Sequence, residues 1–278
     1  MLRVLLLTLT LFSGLAQAGV VLQRPIELDT GNGQLFGSLL LPKSDQPVPV
    51  VLIVAGSGPT DLAATPDERN LSVDAYVADT VAWGEKLKTD PRLGPLILLG
   101  HSEGALIATL AAPKLQAAGV ISLSGSGRPV DQVLRQQLGK RLPPALMLRS
   151  NELLDSLKAG RQDNAIPPPL EPIFRPSVQP YLISLFRQDP AAAFSRLRMP
   201  ALIVQGRNDI QVSVDDAKAL KAAKPDAQLV IIDGMNHILR IVPDDIPQQL
   251  ASYNNPQLPL AAALEQPITR FIDGLARH

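Results

Sequence analysis

Residues 95–110, PLILLGHSEGALIATL, constrain this chain more than any other stretch. An apolar run of strand length enters Gly100-His101-Ser102-Glu103-Gly104. A second apolar run leaves it, with Leu106, Ile107 and Leu110 at helical spacing. Gly-x-Ser-x-Gly between a strand and a helix is the pattern of a nucleophile elbow, in which the serine rides a turn so tight that its own backbone is strained. Glycine two residues to either side removes the Cβ atoms that would strike the adjoining strand and helix. Ser102 then stands at a helix N-terminus, where N–H groups and the positive end of the dipole favour developing negative charge. Without its flanks the pattern is an ordinary glycine-bounded turn; the flanks carry the reading.

The remaining chain alternates strand and helix signals. Residues 20–28 and 34–41 are strand-like runs joined by Asp29-Thr30-Gly31-Asn32-Gly33, which predicts a hairpin. Residues 48–55 (VPVVLIVA) are apolar on both faces, as a central strand is, and open into Gly56-Ser57-Gly58-Pro59-Thr60-Asp61. A helix capped by Ser72 is predicted to run to Lys88. The helix after Ser102 is expected to end near Ala117, with Gly119 as its stop. Short strands follow at 120–123, 200–205 and 228–232, with helices at 214–223 and 261–276; Pro267 kinks the last or marks its true start. Strands alternating with helices predict an α/β fold with a mostly parallel sheet flanked by helices.

Residues 128–199 differ in character. Helical stretches at 130–138, 145–157 and 181–196 are separated by proline-rich breaks, with few β-branched runs. They read as a mostly helical cap inserted into the α/β domain, which spans 19–278.

Functional loops of parallel sheets lie at the C-terminal ends of the strands. Gly56 to Gly58, Ser102, Asp209 and His237 all fall there, in the order serine, acid, histidine. Of the three histidines, His101 adjoins Ser102 and is expected to point away from it, and His278 is the last residue. That leaves His237. Asp209 has rivals in Asp215, Asp216 and Asp233, with Asp233 the second choice.

With Gly-Ser-Gly-Pro-Thr-Asp and Gly-His-Ser-Glu-Gly on the page, the sequence resembles an α/β-hydrolase, most nearly bacterial esterases and serine-aminopeptidase-like hydrolases. The resemblance implies Ser102 as nucleophile, Asp209 as acid and His237 as base. It implies an oxyanion hole from the backbone N–H of Glu103 with that of Ser57 or Gly58. The implied reaction is cleavage of a small ester or related acyl substrate through an acyl-enzyme, with neither metal nor cofactor. A peptidase or acyltransferase on the same residues, or a hydrolase-like protein that binds without turnover, stays open.

One departure matters. The family usually carries a helix and a further strand between the oxyanion loop and the helix before the elbow, and no strand-like run exists between Pro59 and Pro95. The expected sheet therefore lacks one helix–strand unit. By resemblance its strand would lie between 34–41 and 48–55, so its loss leaves a gap or forces those strands to pair.

Composition bounds the rest. The 26 basic and 26 acidic residues cancel, so nothing steers the chain to nucleic acid or an anionic membrane surface. Met1-Leu2-Arg3, an apolar stretch from Val4 to Phe12 and Ala16-Gln17-Ala18 read as a signal peptide (1–18) cleaved after Ala18, which places the mature chain in the periplasm or outside the cell. The apolar stretch is too short for a stable membrane anchor. With no cysteine there is no disulfide, lipid anchor or thiolate metal site.

Overall fold

The structure is a computed structural model that describes residues 21–30, 34–56 and 68–277. The predicted leader, most of the hairpin turn, and Ser57 and Gly58 lie outside the described residues.

β1 (Val21–Asp29) and β2 (Gln34–Pro42) form a two-stranded antiparallel sheet. β3 (Val48–Val54) begins the main sheet. The chain then runs through α1 (Val73–Lys88), β4 (Leu93–His101), α2 (Glu103–Leu115) and β5 (Gly119–Leu123). Helices α3 (Val130–Gly139), α4 (Pro144–Lys158), α5 (Glu171–Phe174), α6 (Gln179–Phe186) and α7 (Pro190–Ser195) follow without a strand. β6 (Ala201–Gly206), α8 (Val214–Ala223), β7 (Gln228–Ile232), α9 (Ile246–Ser252) and α10 (Glu265–Ala276) close the chain. The main sheet has five strands in the order β3-β4-β5-β6-β7, parallel throughout.

Alternation along the strands builds two cores. Leu96, Leu98, Val120 and Ile203 face one side and pack with Val77 of α1, Leu106 and Leu115 of α2, and the helices before β6. Ile97, Leu99, Ile121, Leu202 and Val204 face the other side and pack with Phe271 and neighbours of α10. Central strands buried on both faces are why these segments read as unbroken apolar runs.

The α/β architecture and the parallel sheet are as expected. Of the two consequences foreseen for the missing unit, the structure takes the gap: the β1–β2 hairpin is a sheet of its own, and β3 pairs only with β4 among the described strands. Among the described strands β3 is therefore an edge. Ile53, on its α10 face, is 68% exposed.

Several boundaries differ for local reasons. α2 stops at Leu115 because Gln116 takes a left-handed conformation (φ 49°) and caps it; Gly119 instead opens β5, where a Cβ would sit 2.5 Å from Leu275 Cδ1. The expected helix at 181–196 is two helices, split where the Asp189 carboxylate accepts from Ala192 N and Pro190 starts α7. α10 begins at Glu265, so Pro267 lies in its first turn, where its missing N–H costs no helical bond. Short α9 escaped notice, since seven residues carry too little periodicity.

Candidate active site

The elbow explains itself atom by atom. β4 delivers His101 and α2 begins at Glu103, so Ser102 must reverse the chain alone, at φ 56° and ψ −121°. That backbone is held from several sides. Ser102 N donates to Leu123 O at the end of β5 (2.8 Å). A Cβ on Gly100 would lie 2.1 Å from Gly104 O, and one on Gly104 would lie 2.2 Å from Val54 O. Strand and helix backbones thus touch where the two glycines lie, and no other residue fits. A strained serine, fixed by its surroundings, is what an exposed nucleophile needs. Ser102 holds the N-cap position of α2 but makes no capping bond with its hydroxyl.

That hydroxyl lies 3.0 Å from His237 Nε2. His237 Nδ1 lies 2.8 Å from Asp209 Oδ2. With Nδ1–H donating to the carboxylate, Nε2 is left as the acceptor of the serine proton. The Asp209 side chain is fully buried and that of His237 is 6% exposed. Ser102, His237 and Asp209, picked out in the sequence, are brought into one hydrogen-bonded line.

Asp209 is held by more than His237. Its Oδ1 accepts from Gln211 N (2.8 Å) and Val212 N (2.9 Å), and its Oδ2 also accepts from Gln205 Nε2 (3.0 Å). These bonds replace the water a buried carboxylate has lost. The loops carrying acid and histidine are laced together. Asn208 N donates to Met235 O (3.0 Å), and Asn208 Nδ2 donates to Val242 O (2.8 Å). Asn236 is fully buried; its Oδ1 accepts from Arg240 N (3.0 Å) and its Nδ2 donates to Ser252 Oγ of α9 (2.9 Å).

The rival acids go elsewhere. Asp215 and Asp233 are more than four-fifths exposed and pair with Lys218 and Arg207. Asp216 is buried, but it binds Arg128 with both oxygens (2.8 Å each) and caps α8 through Ser213.

His101, next to Ser102 in the chain, bonds to the main chain of the histidine loop. Its Nε2 lies 2.8 Å from the His237 carbonyl oxygen, and the two rings are 5.1 Å apart. Burial pushes its pKa below the usual histidine value. Gly56, at the end of β3, abuts the elbow: a Cβ there would lie 3.0 Å from Ser102 Cβ. Glu103 opens α2 beside Ser102, which puts its N–H in the helix's first turn. Its carboxylate faces Tyr181 of α6 and Tyr76 of α1, whose rings pack edge to face at 5.7 Å. Burial first, and that carboxylate second, push both phenols above their usual range.

Sequence reasoning missed Gln205 and Asn236. Gln205 had a signal: it is the polar residue that ends the apolar run PALIV. Asn236 had none beyond standing next to His237. Among the described residues no three metal-ligating side chains come together, and no helix is long and apolar enough to cross a membrane.

A parallel sheet with a serine on a strained strand-to-helix turn, and with histidine and aspartate on later loops, defines a class. The chain belongs to the alpha/beta hydrolase family, whose model matches residues 29–252. It is 27% identical over 246 residues to "Esterase EstD" of Thermotoga maritima, a match covering 76% of this chain and 59% of that one. The chain thus spans under two-thirds of that relative. Among solved structures it is similar to the alpha/beta hydrolase GrgF from Penicillium sp. sh18, with a TM-score of 0.55 at 18% identity, covering 92% of this chain and 98% of that one. It is also similar to Est1E from Butyrivibrio proteoclasticus, with a TM-score of 0.53 at 16% identity, covering 77% and 90%. At these identities the structural likeness speaks for the fold.

Proposed function

We propose that the chain is a serine hydrolase of the esterase type, cleaving a small ester or related acyl substrate. The observation that carries the reading is the line Asp209–His237–Ser102 ending on a serine held at φ 56°. The likeness to a named esterase supports the choice of ester.

The geometry supports the following chemistry. Ser102 Oγ attacks the acyl carbonyl carbon as its proton passes to His237 Nε2. Asp209 holds the Nδ1–H tautomer and offsets the imidazolium charge. The carbonyl oxygen gains negative charge at the α2 N-terminus, where the Glu103 N–H is its donor; the family resemblance assigns the second donor to Ser57 or Gly58. Each such donor lowers the barrier by roughly 3–4 kcal/mol. The imidazolium then protonates the departing alkoxide. Water repeats the sequence against the acyl-enzyme, releasing the acid and restoring Ser102.

The test is hydrolysis of p-nitrophenyl acetate and butyrate, and fluorophosphonate labelling, by the wild type and Ser102→Ala, with circular dichroism on both. Activity and labelling that vanish in a folded Ser102→Ala support the reading. A folded wild type that neither hydrolyses these esters nor labels overturns it and favours a binding protein. Labelling without ester turnover moves the substrate to peptides or acyl transfer. Residues 1–18 add a second proposal, export with cleavage after Ala18; the first residue of the protein recovered from a bacterial periplasm checks it.

A further inference from the structure

We propose that His101 is a positioning residue: its Nε2–H, donated to the main-chain carbonyl of His237, fixes the loop that carries the base against the turn that carries the nucleophile. The inference rests on the Ser102–His237–Asp209 reading above.

Topology creates the need. Ser102 follows β4 and His237 follows β7, and β5 and β6 lie between those strands in the sheet. No strand pairing can hold the histidine loop over the end of β4. Apart from the His237–Ser102 bond that is to be positioned, the loop's hydrogen bonds run elsewhere: to the acid loop through Asn208, to α9 through Ser252, to the segment before α10 through Leu239 O and Ala261 N, and within itself through Asn236 and Arg240. They set the imidazole relative to Asp209 and say nothing about its distance from Ser102. The bond from His101 does, because His101 and Ser102 are consecutive residues of one rigid turn. It is 2.8 Å long and ends on the backbone of the base itself.

The side chain suits the task. Its ring reaches the His237 carbonyl, and donating from Nε2 keeps that nitrogen from acting as a rival base. Burial favours the neutral ring, and a neutral donor suffices. A second imidazolium 5.1 Å from His237 would oppose the charge that His237 must take up during the reaction.

The test compares three variants of the full chain. Glutamine places an amide N–H where Nε2 stands. Methionine has the same length and no donor. Asparagine reaches only to the Nδ1 position. The measurements are kcat and KM for p-nitrophenyl butyrate, the rate of fluorophosphonate labelling, and the thermal midpoint. His101→Met is expected to lower kcat and labelling together, on the order of 10²-fold, as a misplacement near 1 Å does, with KM within about two-fold. His101→Gln is expected to recover most of that loss. Should His101→Met not fold, His101→Asn takes its place with the same expected loss. A folded Met or Asn variant with wild-type kcat overturns the proposal, and so does a Gln variant no better than Met. A wild type that neither hydrolyses the ester nor labels fails earlier, and overturns the triad reading together with this one.

Discussion

At the scale of single residues, the site is a matter of who holds whom. Asp209 is buried and would be costly as a lone charge, yet four donors surround it. Gln205 is the side-chain amide among them: it is fully buried at the end of an apolar strand, and its Nε2 donates to Asp209 Oδ2, Val212 O and, more distantly, Gly206 O. Gln205→Leu keeps the volume and removes the donor. A hydrogen bond to a charged group contributes about 1.5–3 kcal/mol, so kcat for ester hydrolysis is expected to fall at least roughly ten-fold while KM holds. Steady-state kinetics beside a thermal melt checks this, and an unchanged kcat would show that Asp209 needs no help from Gln205. Ser102 and His237 were legible as candidates in the sequence, since the chemistry admits few residue types and only three histidines were available, and the family resemblance pointed to Asp209 among its rivals. Their supporters were not. Glutamine or asparagine at a supporting position looks like any polar residue until the atom it faces is known.

At the scale of elements, caps and junctions decide where the chain turns. Asp216 shows this best. It closes a capping box with Ser213 at the start of α8, and it ties in Arg128 and Gly127 N from the segment leaving β5. Burial alone would raise its pKa; the bonds from Arg128 and Ser213 outweigh that, and its pKa lies below the usual carboxylate value. A carboxylate with a lowered folded pKa contributes stability that is full above its unfolded value, near 3.9, and lost as pH falls through the folded one. Asp216→Asn is therefore expected to cost about 2–3 kcal/mol at neutral pH. The gap between wild type and variant should stay level from about pH 5 to 8 and close below about pH 4. Urea midpoints across pH measure it; a gap that persists undiminished in acid would mean that the charge is not what matters. The same competition of local signals explains the misplaced boundaries. Gly119 looked like a helix stop because glycine often is one, but its use is to let Leu275 of α10 approach β5.

At the scale of the whole molecule, the sheet is buried at its centre and, among the described strands, open at β3. Ile97 and Ile53 make the contrast. Both are isoleucines on the α10 face of strands; Ile97 in β4 has no exposed surface, and Ile53 in β3 is 68% exposed. Ile97→Ala is expected to cost about 2–5 kcal/mol through lost burial and the cavity it leaves. Ile53→Lys should change stability by less than roughly 0.5 kcal/mol, and the charge should protect an apolar edge from pairing with other chains. Denaturation midpoints test the first contrast, and light scattering at high concentration tests the second. A large loss of stability at Ile53 would show that its exposed face is covered.

The sequence by itself determined the class of this protein. Periodicity set the alternation of strand and helix, because burial on two faces or on one stripe leaves a pattern in the order of residues. The Gly-x-Ser-x-Gly turn announced itself for a similar reason: only glycine fits where backbones touch, so the constraint is written in residue type. The absence of a strand-like run before Pro95 likewise foretold a sheet short of one unit. Tertiary structure alone decided the rest. It chose the gap over direct pairing at β3 among the described strands, it committed Asp216 to Arg128 and Ser213, and it brought His101 to the His237 carbonyl and Gln205 to Asp209. The contacts of His101 and Asp216 join residues 136 and 88 apart in the chain, and no local pattern records such a meeting.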